Sequence, residues 1–171
     1  FHTGPEYARD RLGYPQGLLD RVPREVSASF AGVGNPFSLG PIHPGEGVLD
    51  IGSGSGMDSF ISASLVGPTG RVIGLDMTDA MLEKATAWQE RLGLRQLEFR
   101  KGLAEEIPLD DASVGVVISN EAAEGGREIP GRRHKLAELL VALVAEVVKG
   151  VVVDLGAAAR LVGADNAQHD D

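Results

Sequence analysis

The segment Asp50-Ile51-Gly52-Ser53-Gly54-Ser55-Gly56 follows a short apolar run and leads into Met57 to Val66, a stretch whose length suits a helix. A strand that becomes a helix through glycines makes a ligand-binding turn. Glycine admits positive φ and close backbone approach, and the first N–H groups of the helix are free to donate. Carboxylates bracket this turn: Asp50 stands directly before the glycines, and Asp76 ends the next apolar run, Arg71 to Leu75. At the carboxyl edge of a parallel sheet, a carboxylate in the position of Asp76 accepts from both hydroxyls of a ribose diol. A dinucleotide turn would read Gly-x-Gly-x-x-Gly, but Met57 stands where the third glycine belongs. No Lys or Arg accompanies the loop to hold a phosphate. The implied ligand is a nucleoside.

The elements that must position these residues are legible around them. Val48 to Ile51, Arg71 to Leu75, Leu97 with Phe99, and Val114 to Ile118 read as strands, the last apolar throughout as suits burial on both faces of a parallel sheet. Between them, Met81, Ala85, Trp88 and Leu92 fall at helical spacing, with Met81 and Trp88 read as core, Thr78 as cap and Gly93 as stop. Residues 1–46 are punctuated by Gly-Pro, Tyr-Pro and Asn-Pro pairs around short helical pieces such as Gln16 to Val22, and form a leader or lid. Beyond Asn120, a buried helix from Leu136 to Val148 and a fifth strand from Val151 to Leu155 are expected, with a fraying end from Ala157. The chain is therefore read as one α/β domain, with a core over 47–120 and a divergent segment over 121–171. Its fold is a Rossmann-like doubly wound parallel sheet cut to about five strands in the order 3-2-1-4-5.

Composition narrows the partners. With 171 residues and a formal charge of −9, the chain repels nucleic acid and anionic membranes. It has no Cys, so disulfides, thiolate metal sites and catalytic thiols are excluded, and no metal is expected. Without an N-terminal apolar segment, a cytoplasmic protein is the expectation. Leaving Val151 to Leu155 as an unpaired apolar edge would invite a homodimer through it.

Several stretches together resemble class I methyltransferases that use S-adenosylmethionine, and the arsenite methyltransferase branch in particular. They are Asn35-Pro36, the run Pro44 to Asp58, the run Val66 to Thr78, and Val117-Ile118-Ser119-Asn120. Methyltransferases of ubiquinone and menaquinone synthesis are similar as well. The resemblance covers roughly residues 10–120 and implies S-adenosylmethionine as cofactor. It implies that Asp50 and the loop Gly52, Ser53, Gly54, Ser55 and Gly56 hold the methionine part. By the same likeness Asp76 holds the ribose, Met77 covers one adenine face, Ala104 and Glu105 lie at the adenine edge, and Asn120 lies near the methionine end. The branch binds arsenic through cysteines whose positions here read Val33 and Glu121.

The implied activity is methyl transfer to a small molecule that the sequence does not name. The alternative is a degenerate domain that binds the cofactor, or a partner, without catalysis. No catalytic residue is assigned. Asp58 serves either the substrate side or the helix N-terminus. His43 reads as a loop residue, Glu121 as an exposed loop carboxylate, and Arg132 to Lys135 as a solvated helix start.

Overall fold

Strand β1 (Gly47–Ile51) lies between β2 (Arg71–Asp76) and β4 (Val116–Ser119), and β3 (Leu97–Lys101) adds to the outside of β2, all of them parallel. The order 3-2-1-4 expected from the sequence is thus the order seen in this computed structural model, which describes residues 3–104, 106–110, 113–120, 151–155 and 159–163. Parallel pairing requires a long crossover. Helix α4 (Met57–Val66) supplies it between β1 and β2, and α5 (Asp79–Leu92) between β2 and β3.

Alternation sorts the strand side chains onto opposite faces. Val48, Val72, Leu97, Val116 and Ile118 join Met57, Phe60, Ile61 and Ala63 of α4 in one core. Leu49, Ile51, Ile73, Leu75 and Val117 fill the other face, where Ala104, Ile107 and Leu109 pack against them. Burial on both faces explains why these strands read as unbroken apolar runs.

The leader contains α1 (Gly4–Leu12), α2 (Gln16–Leu19), α3 (Arg24–Ser27) and a 3-10 turn (Pro36–Leu39). It is packed into the domain: Ala8, Tyr14, Leu19, Val22, Val26, Phe30 and Ile42 share the α4 core. Tyr14 stands edge-on to Phe30 and Phe37, with ring centroids 5.5 and 5.9 Å apart. The helical piece expected over Gln16 to Val22 stops at Leu19.

Other sequence expectations need correction. Beyond β4 the neighbouring strand is β6 (Ala159–Gly163), paired antiparallel, and Val151–Leu155 (β5) lies outermost against β6. Antiparallel neighbours need only a short connection, and just residues 156–158 separate this pair, in a segment expected to fray because of its alanines. The helix expected over Leu136 to Val148 lies outside the described residues. Met81 is 37% exposed and Leu92 46% exposed, so the buried stripe of α5 is narrower than its spacing suggested; Ala85 is buried and Trp88 packs at the margin of the core. Among the described residues no helix is long and apolar enough to cross a membrane.

Candidate functional site

The register of the sheet builds the site. Ile51 pairs with Leu75 on one side and Ser119 on the other, so Gly52, Asp76 and Asn120 emerge side by side at the carboxyl edge. Open parallel sheets bind their ligands at this edge. Gly52, Gly54 and Gly56 have φ of 71°, 54° and 92°, a left-handed region costly to any residue with a Cβ.

Hydrogen bonds hold the loop to β2. The N–H groups of Gly52 and Ser53 donate to the Leu75 carbonyl at 2.8 and 3.0 Å, and the Gly54 N–H donates to Asp76 Oδ2 at 2.8 Å. Asp76 Oδ1 accepts from the Thr78 N–H at 2.8 Å. Thr78, expected to cap α5 with its hydroxyl, occupies the cap position without a side-chain bond. Asp76 is half-buried and each of its oxygens keeps a lone pair for a further donor. A Cβ built on Gly54 would meet nothing within 4 Å, so the backbone there is bare. The Ser53 hydroxyl is buried with no hydrogen-bond partner among the described residues.

The remaining predicted residues are placed as follows. Asp50 is 2% exposed and turned toward α4, where the Ser59 hydroxyl donates to its Oδ2 at 2.5 Å. Ser55 is buried and donates to the Val26 carbonyl at 2.9 Å, tying loop to leader. Met77 is 62% exposed beside Asp76, and Ala104 packs on the Leu49 and Leu75 face. Glu105, Glu121 and Arg132 to Lys135 lie outside the described residues. His43 is exposed, as a loop residue should be.

Asn120 stands in a network whose extent the sequence did not reveal. Its Oδ1 accepts from the N–H groups of Val33 and Gly34 at 2.9 and 2.8 Å. Its Nδ2, with two hydrogens to donate, has three acceptors within reach: Asp58 Oδ2 at 3.0 Å, the Gly34 carbonyl at 2.9 Å and the Tyr14 hydroxyl at 2.9 Å. The Tyr14 hydroxyl in turn donates to Asp58 Oδ1 at 2.8 Å. Asp58 therefore lies at the helix N-terminus and is also a buried acceptor for the leader. Burial pushes its carboxyl up to about 6, against the lowering effect of the Asn120 and Tyr14 hydrogen bonds. Burial raises the Tyr14 hydroxyl as well, followed by the nearby charge of Asp58, so Tyr14 stays a donor. Tyr14 is the residue that sequence reading missed. The available signal was a tyrosine set between Gly13 and Pro15, among the leucines Leu12, Leu18 and Leu19.

The described residues hold no cluster of His, Cys, Asp or Glu able to bind a metal. What the edge offers is a bare glycine backbone, an unpartnered hydroxyl and a carboxylate with spare acceptor capacity, a donor set suited to a polyhydroxylated nucleoside.

Comparison with known proteins agrees with this chemistry. A family model described as a methyltransferase domain matches residues 42–149. The chain is 43% identical over 111 residues to an arsenite methyltransferase of Halobacterium salinarum, covering 65% of this chain and 28% of that protein. It is 34% identical over 98 residues to a demethylmenaquinone methyltransferase of Bacillus cytotoxicus, covering 57% of this chain and 40% of that protein. Among solved structures, an arsenic(III) S-adenosylmethionine methyltransferase from Chlamydomonas reinhardtii superposes with a TM-score of 0.55 at 39% identity, over 61% of this chain and 38% of that one. The chain thus spans well under half the length of these relatives. With more than half of its residues matched by the family model, the chain belongs to the methyltransferase domain family.

Proposed function

We propose that this chain forms the cofactor-binding part of an S-adenosylmethionine-dependent methyltransferase acting on a small molecule. The observation that carries the reading is the pairing of the Gly54 N–H with the Asp76 carboxylate across the tips of β1 and β2. It joins the glycine loop to the Asp76 carboxylate, which supports reading the two as one binding unit. Asp76 accepts from the ribose hydroxyls, the exposed Met77 side chain covers the adenine, and Ala104 borders its edge. Asp50, the backbone of Gly52 to Gly56 and the Ser53 hydroxyl hold the methionine end, with Asn120 beside it. When bound, the cofactor supplies an activated methyl group on a sulfonium. The protein's share is alignment and exclusion of water rather than acid–base chemistry. The leader provides that exclusion, being packed over the loop through Ser55 and Val26.

The acceptor follows from Val33 and Glu121, which stand where arsenite methyltransferases carry arsenic-binding cysteines. Neither side chain is a thiolate, so the acceptor is a small molecule other than arsenite. The same residues favour a second reading, a chain that binds the cofactor without transferring its methyl group. Release of S-adenosylhomocysteine from S-adenosylmethionine, measured with arsenite and with a panel of small oxygen, nitrogen and carbon nucleophiles, separates these readings. Arsenite is expected to leave release at background while one of the other acceptors raises it. Arsenite-dependent release would overturn the assignment of the acceptor, and background release with every acceptor would favour the non-catalytic reading.

A further inference from the structure

We propose that Tyr14, Asp58 and Asn120 are positioning residues: their shared hydrogen bonds lock residues 30–35 of the leader onto the turn where the glycine loop becomes α4, so that ligand binding in the loop and docking of the leader are one coupled event. The coupling to a ligand rests on the reading of the loop as an adenosyl-cofactor site; the lock itself does not.

The connections are direct. Asp58 is the second residue of α4, immediately beyond Gly56 and Met57, and any shift of the loop moves its carboxylate. Both carboxylate oxygens are engaged, one by the leader through Tyr14 and one by the tip of β4 through Asn120. Asn120 then grips the leader a second time, at the Val33 and Gly34 N–H groups and the Gly34 carbonyl. The fit is close: a Cβ on Gly32 would lie 2.5 Å from Asn120 Nδ2 and 2.5 Å from Phe30 Cζ, so glycine lets the chain pass the amide. The residues are buried, with Tyr14 2%, Asp58 5% and Asn120 8% exposed. A buried network of this kind is satisfied as a whole or left with an unmet acceptor, which makes docking all-or-none rather than graded. Ser55, donating to Val26, fastens the loop to the leader at another point.

Tyr14→Phe removes the hydroxyl and keeps the ring against Phe30 and Phe37. Exchange of the Val33 and Gly34 amides, read by NMR, reports the lock, and the amides of β1 report global unfolding. In the free chain, Tyr14→Phe should speed exchange at Val33 and Gly34 by about tenfold, as for a typical coupling between sites, with β1 unchanged. S-adenosylhomocysteine should slow exchange at those amides in the wild-type chain, and Tyr14→Phe should both abolish that slowing and weaken binding by about tenfold. A purely structural role would leave the ligand-induced protection in place. Asp58→Asn, which puts a donor where an acceptor is needed, should reproduce both effects and serves if Tyr14→Phe folds poorly. Unchanged exchange at Val33 and Gly34 in the free variants would overturn the lock. If the wild-type chain fails to bind S-adenosylhomocysteine, the cofactor reading falls, and the free-chain exchange still decides the lock.

Discussion

Asp76→Ala is expected to weaken binding of S-adenosylhomocysteine by about a hundredfold, measured by calorimetric titration. Hydrogen bonds to a charged acceptor contribute roughly 1.5–3 kcal/mol each, and a ribose diol makes a pair of them, so a loss near 3 kcal/mol, or two orders of magnitude, follows. Asp76 also holds the Gly54 and Thr78 N–H groups, and its removal loosens the loop beside the proposed ligand position. Asp76→Asn keeps one acceptor oxygen and should cost about tenfold. Binding by Asp76→Ala equal to that of the wild type would place the ribose elsewhere.

Gly56→Ala is expected to lower stability by about 3 kcal/mol. Gly56 sits at φ of 92°, and a Cβ there would lie 2.7 Å from Phe99 Cζ and 3.2 Å from Phe60 Cε2. Backbone strain of about 1 kcal/mol adds to overpacking of roughly 1–3 kcal/mol. For a chain of this size each kcal/mol moves Tm by about 2–4 °C, so thermal unfolding should fall by on the order of 10 °C. Gly54→Ala is the internal control, because its Cβ would meet open space and only the strain at φ of 54° applies. Equal Tm values for Gly56→Ala and the wild type would show that the loop is not wedged against Phe60 and Phe99.

The core of the site was legible because its signals are local. A continuous apolar strand, glycines and a helix-length run place β1, the loop and α4 within residues 47–66, and the helix observed is the one the sequence marks, Met57–Val66. Asp76 was legible because it ends a strand, and parallel pairing with β1 brings that end to the loop. The Tyr14, Asp58 and Asn120 network was not, since its partners are 44, 62 and 106 positions apart and no local pattern encodes such a meeting. Asp58 alone could be read two ways because a carboxylate in the first turn of a helix is favourable without any partner. The order beyond β4 was misjudged for a similar reason. Ala159 to Gly163 has weak strand propensity, and its place beside β4 comes from pairing of Val116 with Val162 and Val117 with Leu161. Met81 and Leu92 show the converse, apolar residues at helical spacing that α5 leaves exposed.

The leader is the part whose role changes most between sequence and structure. Turn-forming pairs suggest a leader or lid, and its apolar residues enter the same core as α4 while its backbone is held by the Asn120 side chain that follows β4. Position, rather than reactivity, is what these contacts supply, in keeping with the proposed transfer, whose chemical power would reside in the cofactor.

Titration of the unmodified chain with S-adenosylhomocysteine, followed by calorimetry and run beside NADH, bears most directly on the identity of the glycine loop. Saturable binding of one molecule of the former per chain, with no heat from the latter, is the expected result. Absence of saturable binding of S-adenosylhomocysteine by the folded chain would contradict it and leave only the fold assignment standing.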